Sequence, residues 1–433
     1  MREMKDSGIE WIGEIPKEWE IIRLCYLIDG YKAGPFGSTL IMDKLDDEGE
    51  ILVYTPETIS TRDTELSTNK YLPDNRRQEM QQFFVEPGDI IFPIVGSLGR
   101  AMLIEKGMPE GIINQRLAKF HLLSSTITYP YFMRLFGQSS FFETYIEISC
   151  RGSIIVNLTK AILHDMPVPI PPIKDQERIS NFLDKRCKEI EMATADIQSQ
   201  IDTLEQYKRS VITEAVTKGL DRNVEMKESG IEYVGKIPAS WDMHPVYYYF
   251  GERKHKNSLG KEQNLLSLSY GNIIRKDINT REGLLPESFN TYNIVEAGDI
   301  IIRPTDLQND KHSLRTGLVR EHGIITSAYI DLMPVRNINA EYYHYLLHAF
   351  DVMKVFYNMG NGVRQGLNFS EFSRLMVFGP SLAEQNSIVD YLNDKCGQIN
   401  TVISEKQDQL ATLDTFKKST IYEYVTGKKE VPD

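Results

Sequence analysis

The clearest pattern in this chain is a seven-residue recurrence of apolar side chains. Ile190, Ile197, Leu204 and Val211 stand one heptad apart, with Ile201 and Ala215 on the adjoining row and mostly polar residues between. Such spacing predicts a helix with a single narrow apolar stripe, suited to a coiled-coil seam. A second stretch carries Ile399, Ile403, Leu410, Leu413 and Tyr424. Pro171-Pro172 and Pro380 precede the two stretches, Asp175 and Glu384 suit a first turn, and Gly219 and Gly427 close them. Taken as continuous, each helix is a rod of about 43 residues and roughly 64 Å. A lone stripe needs a partner, and the other copy in the same chain supplies it.

Elsewhere the apolar runs are short. Segments from Asp89 to Val95, Gly111 to Phe120 and Gly323 to Leu332 read as strands broken by glycine, and Tyr129 to Tyr145 and Glu341 to Tyr357 as helices with aromatic faces. The expected fold class is mixed α/β: two globular, strand-rich α/β domains joined by two long antiparallel coiled-coil helices, related as a pseudo-two-fold internal repeat.

The repeat is explicit. KDSGIEWIGEIPKEW at Lys5 to Trp19 returns as KESGIEYVGKIPASW at Lys227 to Trp241, 222 residues later and without a gap. EPGDII at Glu86 to Ile91 returns as EAGDII at Glu296 to Ile301, a glycine turn leading into a strand. Pro171 to Lys218 matches Pro380 to Gly427 at a constant offset of 209, pairing Gln176 with Gln385, Cys187 with Cys396 and Leu204 with Leu413. One unit is therefore an opening motif, a variable globular region and a helix, used twice. The expected boundaries are 1–170 and 221–380 for the two globular domains, with helical spacers at 171–220 and 381–433.

Composition narrows the class. A chain of 433 residues with 41% hydrophobic residues can bury several cores. Apolar runs are too short for a membrane span and the first residues lack a signal-peptide profile, so a cytoplasmic protein with no membrane partner is expected. The four cysteines form no cluster, which leaves a disulfide framework or zinc site without support. Net charge is −12, spread unevenly: residues 1–170 carry 17 Lys+Arg against 24 Asp+Glu, and residues 221–380 carry 18 against 19. A DNA-gripping face normally demands excess positive charge, so either the acidic excess sits away from a basic groove or partner subunits supply much of the phosphate grip.

Motifs for catalysis are missing. The Pro-Pro pair in IPIPPIKDQ has the wrong neighbours for an adenine methyltransferase, no nucleotide-binding GxxxxGK[ST] loop occurs, and HExxH is absent. His344 and His348 lie four apart on an expected helix, a spacing that can chelate a metal but also suits a half-buried pair without a third ligand. Asp89 and Asp299 recur at one place in both copies; the G-D-I-I turn accounts for them through bonds to local backbone.

Through the doubled SGIEWIGEIP/SGIEYVGKIP motif, GPFGS at Gly34 to Ser38, the PPIKDQERI and PSLAEQNSI helix starts and the YKRSVITEAVTKGL and FKKSTIYEYVTGKK helix ends, the chain resembles the specificity subunits of type I restriction-modification systems over essentially its full length. The second copy departs by lacking GPFGS and the double proline. The resemblance implies a subunit without catalysis of its own that reads a split sequence in double-stranded DNA, one half per domain, while the helices fix the unread spacer. Two methyltransferase subunits would dock on the helices and carry S-adenosylmethionine. Two motor-nuclease subunits carrying ATP would add cleavage; no cofactor is expected on this chain. The family's circular arrangement further implies that Ser7 to Trp19 meets the end of the second helix as Ser229 to Trp241 follows the first. Separating two major-groove contacts by about one turn of DNA, ~34 Å, suits a stiff helix pair.

Base contacts are expected from polar and basic loop residues. In the first domain these are Lys32, Phe36 and Ser38, Ser97 and Arg100, Asn114, Gln115 and Arg116, and Arg151 with Ser153. In the second they are Arg253, Lys254, Lys256 and Asn257, Ser269 and Tyr270, Arg303, Lys311 and Arg315, and Arg364 with Gln365. Ile190, Ile197, Leu204, Val211, Ile399, Ile403, Leu410 and Leu413 are expected at the spacer seam and partner-docking region. Trp11, Ile15 and Trp19, with Tyr233, Ile237 and Trp241, either bind a partner or pack on the chain's own helix ends. The rival reading is a coiled-coil scaffold or tethering protein with no nucleic-acid role, which the acidic balance favours.

Overall fold

The computed structural model describes residues 2–36, 39–41, 45–61, 63–96, 98–150, 158–231, 233–279, 288–305, 314–356, 359 and 366–432. Two compact units emerge, one from Met1–Ile197 with Asp408–Asp433, the other from Gln198–Gln407.

In the first unit a four-stranded sheet runs in the order β1 (Ile28–Ala33), β7 (Leu117–Leu122), β4 (Asp89–Pro93), β5 (Met102–Leu103), and a three-stranded sheet in the order β3 (Tyr71–Leu72), β2 (Ile51–Tyr54), β6 (Gly111–Ile113). β4 is buried at every position. Ile90 and Phe92 enter an aromatic core with Phe120, Phe132 and Phe136, while Ile91 enters a second cluster with Leu52, Met102 and Ile112. Burial on both faces explains why the strand reads as a continuous apolar run rather than an alternation. Helix α1 (Tyr129–Gly137) covers the aromatic face, and the long helix α2 (Ile173–Lys218) follows.

The second unit repeats this plan. Its sheets run β8 (Phe250–Glu252), β15 (Ile330–Pro334), β12 (Ile300–Ile302), β13 (Thr316–Leu318) and β10 (Asn272–Lys276), β9 (Leu265–Ser269), β14 (Gly323–Ile325), β11 (Asn293–Val295). Ile300 and Ile302 face the core under helix α3 (Ala340–Val352) and Ile301 faces the other sheet's cluster. The second long helix is α4 (Leu382–Val425). In both units the glycine turn ahead of the central strand is held by the expected aspartate: Asp89 accepts from the Glu86 N–H at 2.9 Å, and Asp299 from the Glu296 N–H at 2.8 Å.

Helices α2 and α4, 46 and 44 residues long, are unbroken. They run antiparallel within each unit. In the first, Lys417 reaches Glu191 at 2.7 Å and Phe182 meets Tyr424. In the second, Lys406 reaches Gln200 at 2.5 Å and Lys208 reaches Asn400 at 2.7 Å. Of the expected seam residues, Val211 is buried in the second unit's core and Ile399 is buried, while Ile190, Ile197, Leu204, Ile403, Leu410 and Leu413 are half-buried. Two strand-rich α/β domains are thus linked by two long helices that pack together in an internal repeat.

Each globular region is clamped to helix starts and ends by duplicated bonds. The buried Gln176 side chain accepts from the Thr128 N–H at 2.8 Å and donates to the Pro171 carbonyl at 2.9 Å; Gln385 does the same with Asn339 and Pro380, at 2.9 Å each. Tyr131 donates to the Val425 carbonyl at 2.7 Å, and Tyr342 to that of Val216 at 3.3 Å. The opening motifs pack on their own chain's helix ends: Ile15 and Trp19 with Ile421 and Val425, Ile237 and Trp241 with Ile212 and Val216. Gly427 ends α4 at φ +71°, where any Cβ would stand 2.3 Å from Pro16. Only glycine suits both the left-handed backbone and this close approach.

Candidate nucleic-acid interface

Strand directions gather loops at one end of each central sheet. β1 and β4 both pair antiparallel with β7, so they run alike. The loops leaving them therefore emerge where the loop entering β7 arrives. Gly34 packs so closely there that a Cβ would overlap the Asn114 carbonyl oxygen, at 1.9 Å. Gly34 and the turn at Asn114 and Gln115, distant in sequence, are thereby neighbours. Phe36 stands 82% exposed, and Gln115 and Arg116 are exposed beside it in sequence-distant company. Lys32, on β1, donates to Gln82 at 2.5 Å and lies over the Phe83 ring. Arg100 is exposed on the loop after β4. Ser38, Ser97, Arg151 and Ser153 lie outside the described residues.

The same end of the second unit gathers the exits of β8 and β12 and the approach to β15. Arg253 leaves β8 and is held by Asp299 through two bonds, of 2.7 and 3.1 Å. Lys254 pairs with Glu252 at 2.8 Å, and Lys256 donates to the Thr291 carbonyl at 3.0 Å; both are exposed. Arg303 is half-buried after β12, Ser269 half-buried and Tyr270 exposed at the tip of β9. Lys311, Arg364 and Gln365 lie outside the described residues.

Three expected base readers instead hold structure in this conformation. Arg315 is 2% exposed, 3.2 Å from Asp351 and bonded to the Thr305 carbonyl. Asn257, 2% exposed, bonds the Glu262 backbone through both ends of its amide. Asn114 is buried and accepts from the Arg116 N–H at 2.9 Å, shaping the turn that exposes its two neighbours. Conversely, Thr326, Ser327 and Ala328 occupy the place of Asn114, Gln115 and Arg116 before β15 and were missed. The repeated GII at Gly111 and Gly323 was the available signal.

The two units neutralise the strand-start aspartate differently. Asp89 binds Lys119 at 2.8 Å and His121 at 3.2 Å, both on β7. At the matching position of β15 stands Asp331, so the cation comes from Arg253 instead. Both carboxylate oxygens of Asp331 are buried without a hydrogen-bond partner. Burial, then the nearby Asp299 charge, pushes its carboxyl up to about 8.

Comparison with known proteins bears on this frame. The family model described as "Type I restriction modification DNA specificity domain" matches residues 16–203. The chain is 22% identical to the putative type I restriction enzyme MjaX specificity subunit of Methanocaldococcus jannaschii, over 97% of this chain and 96% of the relative. It is 20% identical to the type I restriction enzyme MjaVIII specificity subunit of the same organism, over 96% and 94%. A chain from the structure described as "Structural basis underlying complex assembly and conformational transition of the type I R-M system" shares the fold, with TM-score 0.65 and 13% identity over 96% of this chain and 99% of that one. The chain is therefore similar to the DNA specificity subunits of type I restriction-modification systems. Among the described residues no group of three or more His, Cys, Asp and Glu is placed to hold a metal, and no helix is long and apolar enough to cross a membrane. His344 and His348 are half-buried on α3; burial pushes each imidazole down to about 4, which keeps it neutral.

Proposed function

We propose that each unit of this specificity subunit reads one part of a bipartite DNA target through the loops at the end of its central sheet. The observation that supports this reading most directly is a common frame with divergent tips: matched sheets carry Gln115 and Arg116 in one unit and Ser327 and Ala328 in the other. Different tips on one frame suit different half-sites. Of the expected contacts, Lys32, Phe36, Arg100, Gln115 and Arg116 in the first unit and Arg253, Lys254, Lys256, Ser269, Tyr270 and Arg303 in the second remain candidates. Ser38, Ser97, Arg151, Ser153, Lys311, Arg364 and Gln365 stay candidates on their sequence alone.

The helices set the unread spacer and dock two methyltransferase subunits, which bring S-adenosylmethionine; motor-nuclease subunits add ATP-driven cleavage. The inward seam residues serve the spacer, which leaves the outward apolar residues for docking. Tyr207 and Phe416, 209 apart and both exposed, are the matched pair. A net charge of −12 is consistent with partners sharing the phosphate grip.

The test is co-expression with methyltransferase subunits followed by methylation-aware sequencing of the exposed DNA. A split motif with a fixed gap is expected. A continuous motif, or no sequence-selective mark, overturns the reading and favours a scaffold.

A further inference from the structure

In the second unit β9 and β10 form a hairpin joined by Tyr270-Gly271 alone, since Ser269 faces Asn272. Both joining residues have positive φ, +47° at Tyr270 and +80° at Gly271. This is a two-residue turn whose first position ordinarily carries asparagine, aspartate or glycine. A bulky side chain in the left-handed region costs on the order of 1 kcal/mol. Packing does not offset that cost, because the tyrosine is 79% exposed.

The first unit is built differently at the same place. β2 pairs in parallel with β6 as β9 does with β14. Yet β2 continues into a short helix at Pro56–Thr61 before its antiparallel neighbour β3, where β9 turns back at once. The two copies thus diverge in what projects from a shared sheet.

The hairpin has two unlike faces. Leu268 and Ile273 turn inward over Gly317, where an added Cβ would stand 2.7 and 2.8 Å from them. By the strand alternation Ser269, Asn272, Ile274 and Lys276 share the outer face, and Ile274 is 41% exposed. Among the described residues β10 is the outer strand of its sheet, paired only with β9.

We propose that this hairpin is the groove-reading element of the second unit, a two-stranded ribbon laid in the major groove of one half-site with Tyr270 at its leading tip. The major groove, about 12 Å wide, admits a two-stranded ribbon. Ser269 and Asn272 offer hydrogen bonds to base edges, Ile274 an apolar contact for a thymine methyl, and Lys276 a phosphate contact. The inward packing on Gly317 fixes the tip, and the tyrosine's strained backbone is retained for contact rather than folding. This inference rests on the DNA-reading function proposed above.

The experiment uses the full chain co-expressed with its methyltransferase subunits, comparing wild type with Tyr270→Gly and Asn272→Ala. Glycine relieves the left-handed strain, so a residue serving only the fold predicts unchanged or improved folding and unchanged methylation. The inference predicts instead that Tyr270→Gly keeps or raises the melting temperature while methylation of the target falls at least tenfold. Asn272→Ala relaxes selectivity in one half of the motif and leaves the other half unaltered. A wild-type complex that marks no split site overturns the underlying reading together with this one. If wild type marks a split site and Tyr270→Gly matches it in rate and motif, the hairpin assignment alone is overturned.

Discussion

Trp241 donates its indole N–H to Glu384 at 3.1 Å, whereas Trp19, the same residue in the first copy, has its indole nitrogen buried without a hydrogen-bond partner. The difference lies in the facing residue. Asp175 stands where the second copy has Glu384, is one methylene shorter, and binds Arg2 at 2.7 Å. Asp175→Glu lengthens the acceptor toward Trp19 and should stabilise the first unit by about 1 kcal/mol, the usual worth of one added hydrogen bond. Thermal unfolding checks this. A melting temperature that falls would show that the Arg2 pair matters more than the indole.

The buried glutamine clamps predict losses of similar size in both copies. Gln176→Leu strands the Thr128 N–H and the Pro171 carbonyl, and Gln385→Leu strands their counterparts at Asn339 and Pro380. Each should cost about 2 to 6 kcal/mol, since each of the two stranded buried groups costs roughly 1 to 3 kcal/mol. Denaturant unfolding measures it, and a loss under 1 kcal/mol would mean that the stranded groups find other partners.

Asp331 predicts a pH dependence in the second unit. Its carboxyl, raised by burial and by Asp299 to about 8, stays protonated in the folded state over a range where the unfolded chain ionises. Stability from this group is full below the ordinary aspartate range near 3.8 and declines as pH rises toward 8, because the folded state holds the extra proton. The groups acting on it are Asp299, Arg253 and Glu252. Asp331→Asn should therefore raise the melting temperature more at pH 8 than at pH 5. An equal change at both would refute the raised carboxyl.

The spacer role predicts a change of gap without a change of half-sites. Deleting residues 198–204 of α2 together with the facing 404–410 of α4 removes one heptad, keeps the seam in phase and leaves Tyr207 and Phe416 in place. Seven residues span about 10 Å of helix, equivalent to roughly 3 base pairs. Methylation-aware sequencing should show both half-sites retained and the gap shortened. An unaltered gap would remove the helices from spacer control.

Legibility from sequence followed how local each signal was. The heptads, the proline and glycine stops and the G-D-I-I turn depend on neighbours within a few residues, and they appear as expected in α2, α4, β4 and β12. Repeat matching extended this to the packing of Trp19 and Trp241 on helix ends. Arg315 failed because the residue that buries it, Asp351, arrives 36 positions later at the end of α3. Asn257 looked like part of a basic run, but its loop folds back so that Glu262 takes up its amide. Thr326 to Ala328 were overlooked because their place before β15 is set by sheet order, not by charge.

The bond from Tyr131 to Val425 joins residues 294 apart. During synthesis at about 5 to 20 residues per second, Tyr131 emerges roughly fifteen seconds to a minute before the residue that completes its pocket. Through that interval the N-terminal unit must wait with an open apolar flank, accessible to chaperones and to aggregation. Any truncation that deletes the last turns of α4 should therefore damage the unit made first, not the one made last.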